Sequence, residues 1–98
     1  MHSFTVADFE PLVGQPFALD YPARAEVLTL VRVIESPIPP VRDFERGYSL
    51  IFGGERRDVM LPQSTWRLRH ATLGELDIFL VPIGRLPAGN FQYQAVFG

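Results

Sequence analysis

The chain has 98 residues, of which 47% are hydrophobic and 20% charged, a composition typical of a single globular domain. Its formal net charge of −2 provides no positive field that would favour nucleic acid or an anionic membrane, and no apolar run is long enough for a membrane-spanning helix. Cysteine is absent, which excludes disulfides, thiol nucleophiles and thiolate metal sites.

The first third of the chain predicts one short helix followed by two strands. Thr5 and Asp8 have the spacing of a capping box, which begins a helix, and a proline and a glycine soon afterwards limit that helix to one or two turns. Residues 17–21 alternate between apolar and polar positions, as a half-buried strand does. Residues 25–35 form the longest predicted strand. Since apolar residues occupy both of its faces, we expect it to be covered on both sides, either as a central strand or by a partner.

Residues 36–46 combine three prolines with mixed charges and predict an exposed loop between two strands. Pro37 and Pro40 have the minimal spacing of a polyproline ligand, although this spacing is common by chance. Long loops in compact domains often carry binding residues. The loop is therefore a candidate protein-contact surface, whose members are Pro37, Ile38, Pro39, Pro40, Val41, Arg42 and Phe44.

The second half of the chain predicts strands joined by short turns. These strands are expected at residues 48–52, 59–61, 65–70, 76–81 and 91–97. The clearest alternation places Trp66, Leu68 and His70 on one face of their strand and the intervening residues on the other. Short turns join antiparallel neighbours. The sequence therefore predicts a single domain over residues 1–98, of an all-β and mainly antiparallel class. We expect a small β-sandwich or a partly open barrel of six to seven strands with one short N-terminal helix.

Residue types that support catalysis are scarce. Lysine and cysteine are absent, and the histidines are His2 and His70. His70, Asp77 and a serine would form a triad if the fold brought them together, but a histidine at a strand end more commonly bonds to the adjacent turn. No metal-binding or phosphate-binding motif is present. We expect no enzyme activity, no cofactor and no metal.

All nine basic residues are arginines. Arg67 and Arg69 share a strand face and Arg56 and Arg57 lie in a predicted turn, which makes a small basic patch conceivable. The acidic balance of the chain, and a tryptophan pointing away from that face, argue against a nucleic-acid partner. Arginine also suits bidentate pairing with carboxylates in protein interfaces. We expect protein partners and neither nucleic acid nor membrane.

Five motifs carry a resemblance that covers nearly the whole chain. They are Leu-x-Gly-x-x-Phe from Leu12, Ser-Leu-x-Phe from Ser49, His-x-x-Leu-Gly from His70, Phe-Leu-Val-Pro-x-Gly from Phe79 and Tyr-x-Ala-Val-Phe from Tyr93. In these motifs the chain resembles a small bacterial family of uncharacterised β-domains, whose members usually end in Asn where this chain has Gly98. The resemblance implies no catalytic residues. Through proteins associated with that family, it implies a link to phage-tail-collar-like proteins.

These observations favour a non-enzymatic structural or assembly subunit that acts through protein–protein contacts. We expect it to form a homo-oligomer or to dock onto a fibre or a phage-tail-like assembly. The alternative is a monomeric β-barrel that serves as a binding or adaptor module for a small ligand or a partner protein. Aromatic contact candidates in the second half are Phe79, Phe91, Tyr93 and Phe97, with exposed Phe79 or Tyr93 as the anchor. Without a signal-peptide pattern we expect synthesis in the cytoplasm, and an extracellular location only as part of an assembly.

Overall fold

The computed structural model describes residues 4–21, 24–35 and 47–97, so the predicted contact loop at residues 36–46 lies outside the described part. A short helix α1 (Val6–Phe9) and a 3-10 turn (Glu10–Leu12) precede six strands. The strands are β1 (Pro16–Tyr21), β2 (Arg24–Glu35), β3 (Tyr48–Gly54), β4 (Ser64–His70), β5 (Gly74–Arg85) and β6 (Phe91–Phe97). The predicted all-β class with one short N-terminal helix is confirmed.

The six strands close into a barrel in the order β1-β2-β3-β6-β5-β4, and all neighbours are antiparallel. Closure joins β1 to β4 through a single pair, Ala18 with Arg69. The sequence predicted a sandwich or a partly open barrel, and the structure is the closed form. Because closure removes most sheet edges, recognition by edge pairing is restricted to places where a ladder stops short.

The barrel interior is filled by the alternate residues of each strand. Its fully buried members include Phe17, Leu28, Leu50, Phe52, Leu68, Leu80 and Tyr93. Phe17 and Phe52 meet edge to face at 5.3 Å between ring centroids. Each buried leucine or phenylalanine stabilises the fold by about 1.5–3 kcal/mol through removal of apolar area from water.

Helix α1 begins as its sequence predicts. The backbone N–H of Thr5 donates to the Asp8 carboxylate at 2.8 Å, which is half of the capping box. After the 3-10 turn, Gly14 adopts a φ of +92°, a left-handed conformation that favours glycine, and its N–H donates to the carbonyl of Leu30 at 2.7 Å. These bonds fix α1 against the barrel, with Phe9 buried.

A β-bulge interrupts the predicted alternation of β2. The β2–β3 register shifts between Leu30 and Arg32, so Leu28 and Leu30 point inward while Val31 and Ile34 are 40% and 39% exposed. β2 is a central strand, paired with β1 and β3, but the described elements leave Val31 and Ile34 partly exposed on its outer face, so the alternative of cover by a partner stays a prediction there. Their exposure leaves an apolar outer surface.

The predicted strand at residues 59–61 is absent from the structure. Leu61 is nevertheless 1% exposed, and its backbone N–H donates to the Tyr93 hydroxyl at 2.8 Å. The Tyr93 side chain thus accepts the hydrogen bond that a neighbouring strand would accept if residues 59–61 formed a strand.

Candidate functional site

A groove of about 600 Å³ opens at the end of the barrel nearest α1. One wall is aromatic and consists of Phe4, Phe9 and Phe97. The other wall comes from the β4–β5 hairpin and the start of β5, and consists of Thr72, Leu73, Glu75, Leu76, Asp77 and Ile78. Its volume lies within the range of about 300–1,000 Å³ that is usual for ligand pockets, and a mostly apolar lining with a few polar groups is also usual there.

The groove exists because β5 and β6 are paired over only part of their length. Their ladder runs from Arg85 with Phe91 to Val81 with Gln94 and then stops. On its other side, β5 is paired with β4 from Gly74 to Leu80. The first seven residues of β5 therefore have a partner strand on one side, and on the β6 side the ladder leaves an edge free.

The aromatic wall is held by ring packing and one hydrogen bond. Phe9 lies 5.7 Å from Phe4 and 6.1 Å from Phe97, measured between ring centroids. Tyr48 stacks on Phe97 at 5.0 Å, and its hydroxyl donates to the carbonyl of Phe4 at 2.8 Å. Because these contacts join α1, β3 and β6, the wall is largely preformed before any ligand enters.

The hairpin wall is positioned by His70. Its Nδ1 accepts the backbone N–H groups of Thr72 at 3.0 Å and Leu73 at 3.2 Å. Since Nδ1 is thereby an acceptor, Nε2 carries the proton and donates to Gln15 Oε1 at 2.7 Å. Gly74 follows the turn with a φ of +76°. The sequence-based interpretation of His70 as a strand-end residue bonded to the turn is confirmed.

The hypothetical triad is not assembled. Asp77 is exposed on β5 beside the groove, where its carboxylate accepts a hydrogen bond from Arg67 at 3.0 Å. His70 points inward, is 3% exposed and uses both ring nitrogens for Gln15 and the turn. Among the residues that the structure describes, no group of three or more metal-ligating side chains comes together. No helix within the described ranges is long and apolar enough to cross a membrane.

A buried acid occupies the other end of the barrel. Glu26 is 8% exposed and its Oε1 accepts the backbone N–H of Arg56 at 3.2 Å. Burial raises the pKa of Glu26 above its ordinary 4.5, opposed by backbone hydrogen bonds and by the Arg56 charge. Desolvation also raises the pKa of the neighbouring Tyr93. A Cβ on Gly54 would lie 2.6 Å from Glu26 Oε1, so this glycine makes room for the carboxylate. The arrangement anchors the turn after β3.

The outer surface of the barrel carries a second feature. Seven large apolar side chains are exposed among the described residues, and two of them, Val13 and Met60, lie in connections. The other five form what we call the outer apolar face, which consists of Val31, Ile34, Phe79, Ile83 and Val96 on strands β2, β5 and β6.

Strand register places members of the outer apolar face close together. Ser49 of β3 pairs with Ile34 on one side and with Val96 on the other. Phe79 lies two residues before Val81, whose partner Gln94 lies two residues before Val96. Ile34, Ser49 and Val96 therefore occupy one row across the sheet, and Phe79 lies on β5 beyond the end of the β5–β6 ladder.

The predicted contact residues differ in their exposure and in their place in the fold. Phe79 is 50% exposed and belongs to the outer apolar face. Tyr93 is 1% exposed, so the prediction of an exposed anchor is wrong for this residue, because its face of β6 turns into the barrel. Phe91 is partly buried beneath the Arg85 guanidinium, 4.2 Å from the ring centroid. Phe97 is partly buried and lines the groove. The residues predicted in the loop lie outside the described ranges; these are Pro37, Ile38, Pro39, Pro40, Val41, Arg42 and Phe44.

Sequence reasoning missed most of the outer apolar face. Val96 is 71% exposed and stands on the otherwise polar face of its strand, after Gln92 and Gln94. That apolar residue in a polar row was a usable signal. Val31 carried no such signal, because its exposure results from a bulge that a two-residue period does not reveal.

Comparison with protein families identifies one match. Residues 4–97 match the family described as Domain of unknown function (DUF6916), and the chain belongs to that family. The match confirms that the chain is a member of a family of uncharacterised domains. No curated protein and no solved structure matches the chain.

Proposed function

We propose that this member of the family is a non-enzymatic assembly subunit that binds a second copy of itself through the outer apolar face. The observation that carries the proposal is the concentration of exposed apolar side chains on one part of the barrel. Ile34 and Val96 lie in one row with Ser49 between them, Phe79 is exposed on β5, and Val31 is exposed at the bulge of β2. Apolar patches of this kind on small proteins commonly mark interaction sites.

The distribution of charge supports the same surface. Next to the row of Ile34, Ser49 and Val96 lies a row of Arg32, Ile51, Gln94 and Val81, in which Arg32 is the one charge. The hairpin of β4 and β5 instead exposes Arg67, Arg69, Glu75 and Asp77. Depletion of charge is the compositional mark of an interface core.

A second copy is the occupant that fits this surface most simply. A two-fold interface brings the same patch of each subunit together, so an apolar face needs no separately evolved partner. Closure of the barrel leaves few edges for pairing, which favours face-to-face packing as the mode of self-association.

Docking onto a fibre or a phage-tail-like assembly in a bacterium is a finer proposal. Its support is the resemblance in the five sequence motifs alone. In such an assembly the outer apolar face would contact neighbouring subunits, and residues 36–46, which the sequence predicts to form a loop, would be a further contact.

The test compares two substitutions of exposed apolar residues by glutamate. Val96→Glu places a charge in the outer apolar face, whereas Met60→Glu makes the same kind of change at a 46% exposed residue outside it. Because Val96 is 71% exposed, its substitution should change the free energy of unfolding by less than about 0.5 kcal/mol. Light scattering of the size-exclusion peak at tens of micromolar gives the mass.

We expect the wild-type chain and Met60→Glu to have at least twice the 11.1 kDa mass of one chain, and Val96→Glu to have that mass once. A wild-type chain that remains at 11.1 kDa would contradict self-association. An oligomer that persists in Val96→Glu would place the interface elsewhere.

The groove favours a second candidate function, a monomeric binding or adaptor module. Its aromatic wall is preformed and its volume of about 600 Å³ suits a ligand group. This candidate predicts a melting temperature that rises with ligand and does not depend on protein concentration.

A further inference from the structure

We infer that the groove binds an extended peptide segment as an added strand on the free edge of β5. The inference deepens the binding-module candidate, on which it rests, by naming the class of ligand. It does not depend on self-association through the outer apolar face. The segment it fits alternates apolar and basic residues.

The backbone of β5 supplies the first argument. From Gly74 to Leu80 this strand is paired with β4 on one side, while the ladder to β6 begins only at Val81. In an antiparallel strand, the N–H and C=O groups of every second residue point to the same side. Alternate residues of this stretch therefore direct donors and acceptors toward the groove side, where an extended chain would pair with them.

The side chains of β5 supply the second argument. Leu76 and Ile78 are buried while Glu75 and Asp77 are exposed, and all four residues line the groove; Phe79 is exposed and does not line it. An added strand alternates in the same way, so every second side chain would enter the groove and contact its aromatic wall. Those side chains should be apolar.

Charge complementarity sets the remaining positions of the ligand. Asp77 is paired with Arg67 at 3.0 Å, and Glu75 lies opposite Arg69 in the β4–β5 ladder, so on the groove side of β5 both carboxylates face no strand neighbour of the ladder. Outward side chains of an added strand would lie directly across from Glu75 and Asp77. A basic residue there gains a carboxylate partner, and an acidic residue faces two like charges.

The test uses a defined probe, a capped heptapeptide of sequence Lys-Val-Lys-Phe-Lys-Val-Lys. A glutamate-for-lysine version tests charge. Two further versions carry N-methyl groups on the apolar residues or on the lysines, which removes the N–H donors of one edge of the peptide at a time. Fluorescence anisotropy gives affinities with the full chain, and amide hydrogen exchange followed by NMR reports where the peptide lies.

The protein variants are matched in charge. Glu75→Lys reverses the carboxylate beside the groove, and Glu55→Lys makes the same change at an exposed residue beyond the opposite end of β3. Thr72→Trp narrows the groove from an exposed position without altering a buried side chain. Melting temperatures show that each variant is folded before affinities are compared.

We expect saturable binding of the lysine peptide, with new protection at alternate amides between Glu75 and Phe79. At least one N-methylated version should bind about tenfold more weakly or worse, because strand addition needs its N–H groups. Glu75→Lys and Thr72→Trp should weaken binding, whereas Glu55→Lys and Val96→Glu should not.

Absence of binding, or equal affinities for the lysine peptide and both N-methylated versions, would overturn the inference. Protection of the same amides that appears with rising protein concentration and no peptide would identify a second copy as the occupant, which also overturns it. Retained peptide binding in a chain that stays monomeric would separate this site from the outer apolar face.

Discussion

The hydrogen bond between Tyr93 and Leu61 allows a quantitative prediction. The backbone N–H of Leu61 donates to the Tyr93 hydroxyl at 2.8 Å in the barrel interior, where both residues are 1% exposed. Tyr93→Phe removes the acceptor and leaves the N–H buried without a partner. Such a group costs about 1–3 kcal/mol. A loss of about 2 kcal/mol would lower the melting temperature of a domain of this size by about 8–16 °C.

A matched variant shows whether burial causes the loss. Tyr48→Phe also deletes a hydroxyl with a 2.8 Å hydrogen bond, to the carbonyl of Phe4, but that bond is only partly buried. Water can replace it, so we expect a loss of about 0.5–1 kcal/mol. Urea unfolding followed by circular dichroism measures both free energies, and an unchanged m-value shows that the same surface is exposed on unfolding.

Tyr93→Phe should also change the dependence of stability on pH in alkaline solution. Burial raises the pKa of Tyr93 above its ordinary 10.0, so between these values the unfolded chain has lost a proton that the folded chain retains. The stability that Tyr93 contributes through this difference in pKa is fully present below pH 10. It is lost as the pH rises through the pKa of Tyr93 in the folded chain. Tyr93→Phe should lose this part of the alkaline destabilisation.

The argument from burial has a refuting outcome at neutral pH. It is refuted if the free energies of unfolding of Tyr93→Phe and Tyr48→Phe lie within about 0.5 kcal/mol of each other.

Two further predictions concern charged groups. Burial raises the pKa of Glu26 above 4.5, so the folded chain binds more protons than the unfolded chain above that pH, and stability falls as the pH rises through the folded pKa. Glu26→Gln should flatten this slope in urea midpoints measured from pH 4.5 to 8, and a pH-independent difference from wild type would contradict it. Asp77→Asn breaks the ion pair with Arg67, in which the Arg67 side chain is 59% and the Asp77 side chain 58% exposed. The free energy of unfolding should therefore change by less than about 0.5 kcal/mol. A loss above about 1 kcal/mol would show a structural role for the pair.

The parts of the fold that follow from local patterns were predictable. Thr5 and Asp8 gave the start of α1, because a capping box involves residues only three positions apart. The alternation around Leu68 and His70 gave β4 and the direction of its side chains, because a strand has a period of two. The turn contact of His70 was also foreseen, since a polar residue at a strand end finds partners in the adjacent hairpin.

Features that depend on distant residues were not predictable. Alternation grouped Tyr93 with Ala95 and Phe97 on one face but did not say which face turns inward. The hydrogen bond between the Tyr93 hydroxyl and the distant residue Leu61 stabilises the inward orientation. Closure depends on the pairing of Ala18 with Arg69, which lie far apart in sequence. The groove depends on where the β5–β6 ladder ends, which no pattern within either strand encodes.

Both proposed surfaces meet on β5, and the geometry of a strand explains how they can remain separate. Ile78 points into the groove and the next residue, Phe79, points to the outer apolar face, because successive side chains of a strand lie on opposite sides. A ligand in the groove would contact Ile78, and a second copy of the chain would contact Phe79. A strand added at the free edge would also place its basic outward side chains alongside Phe79, at the margin of the outer apolar face. If a peptide and a second copy both bind, each should therefore weaken the binding of the other, and this coupling is reciprocal.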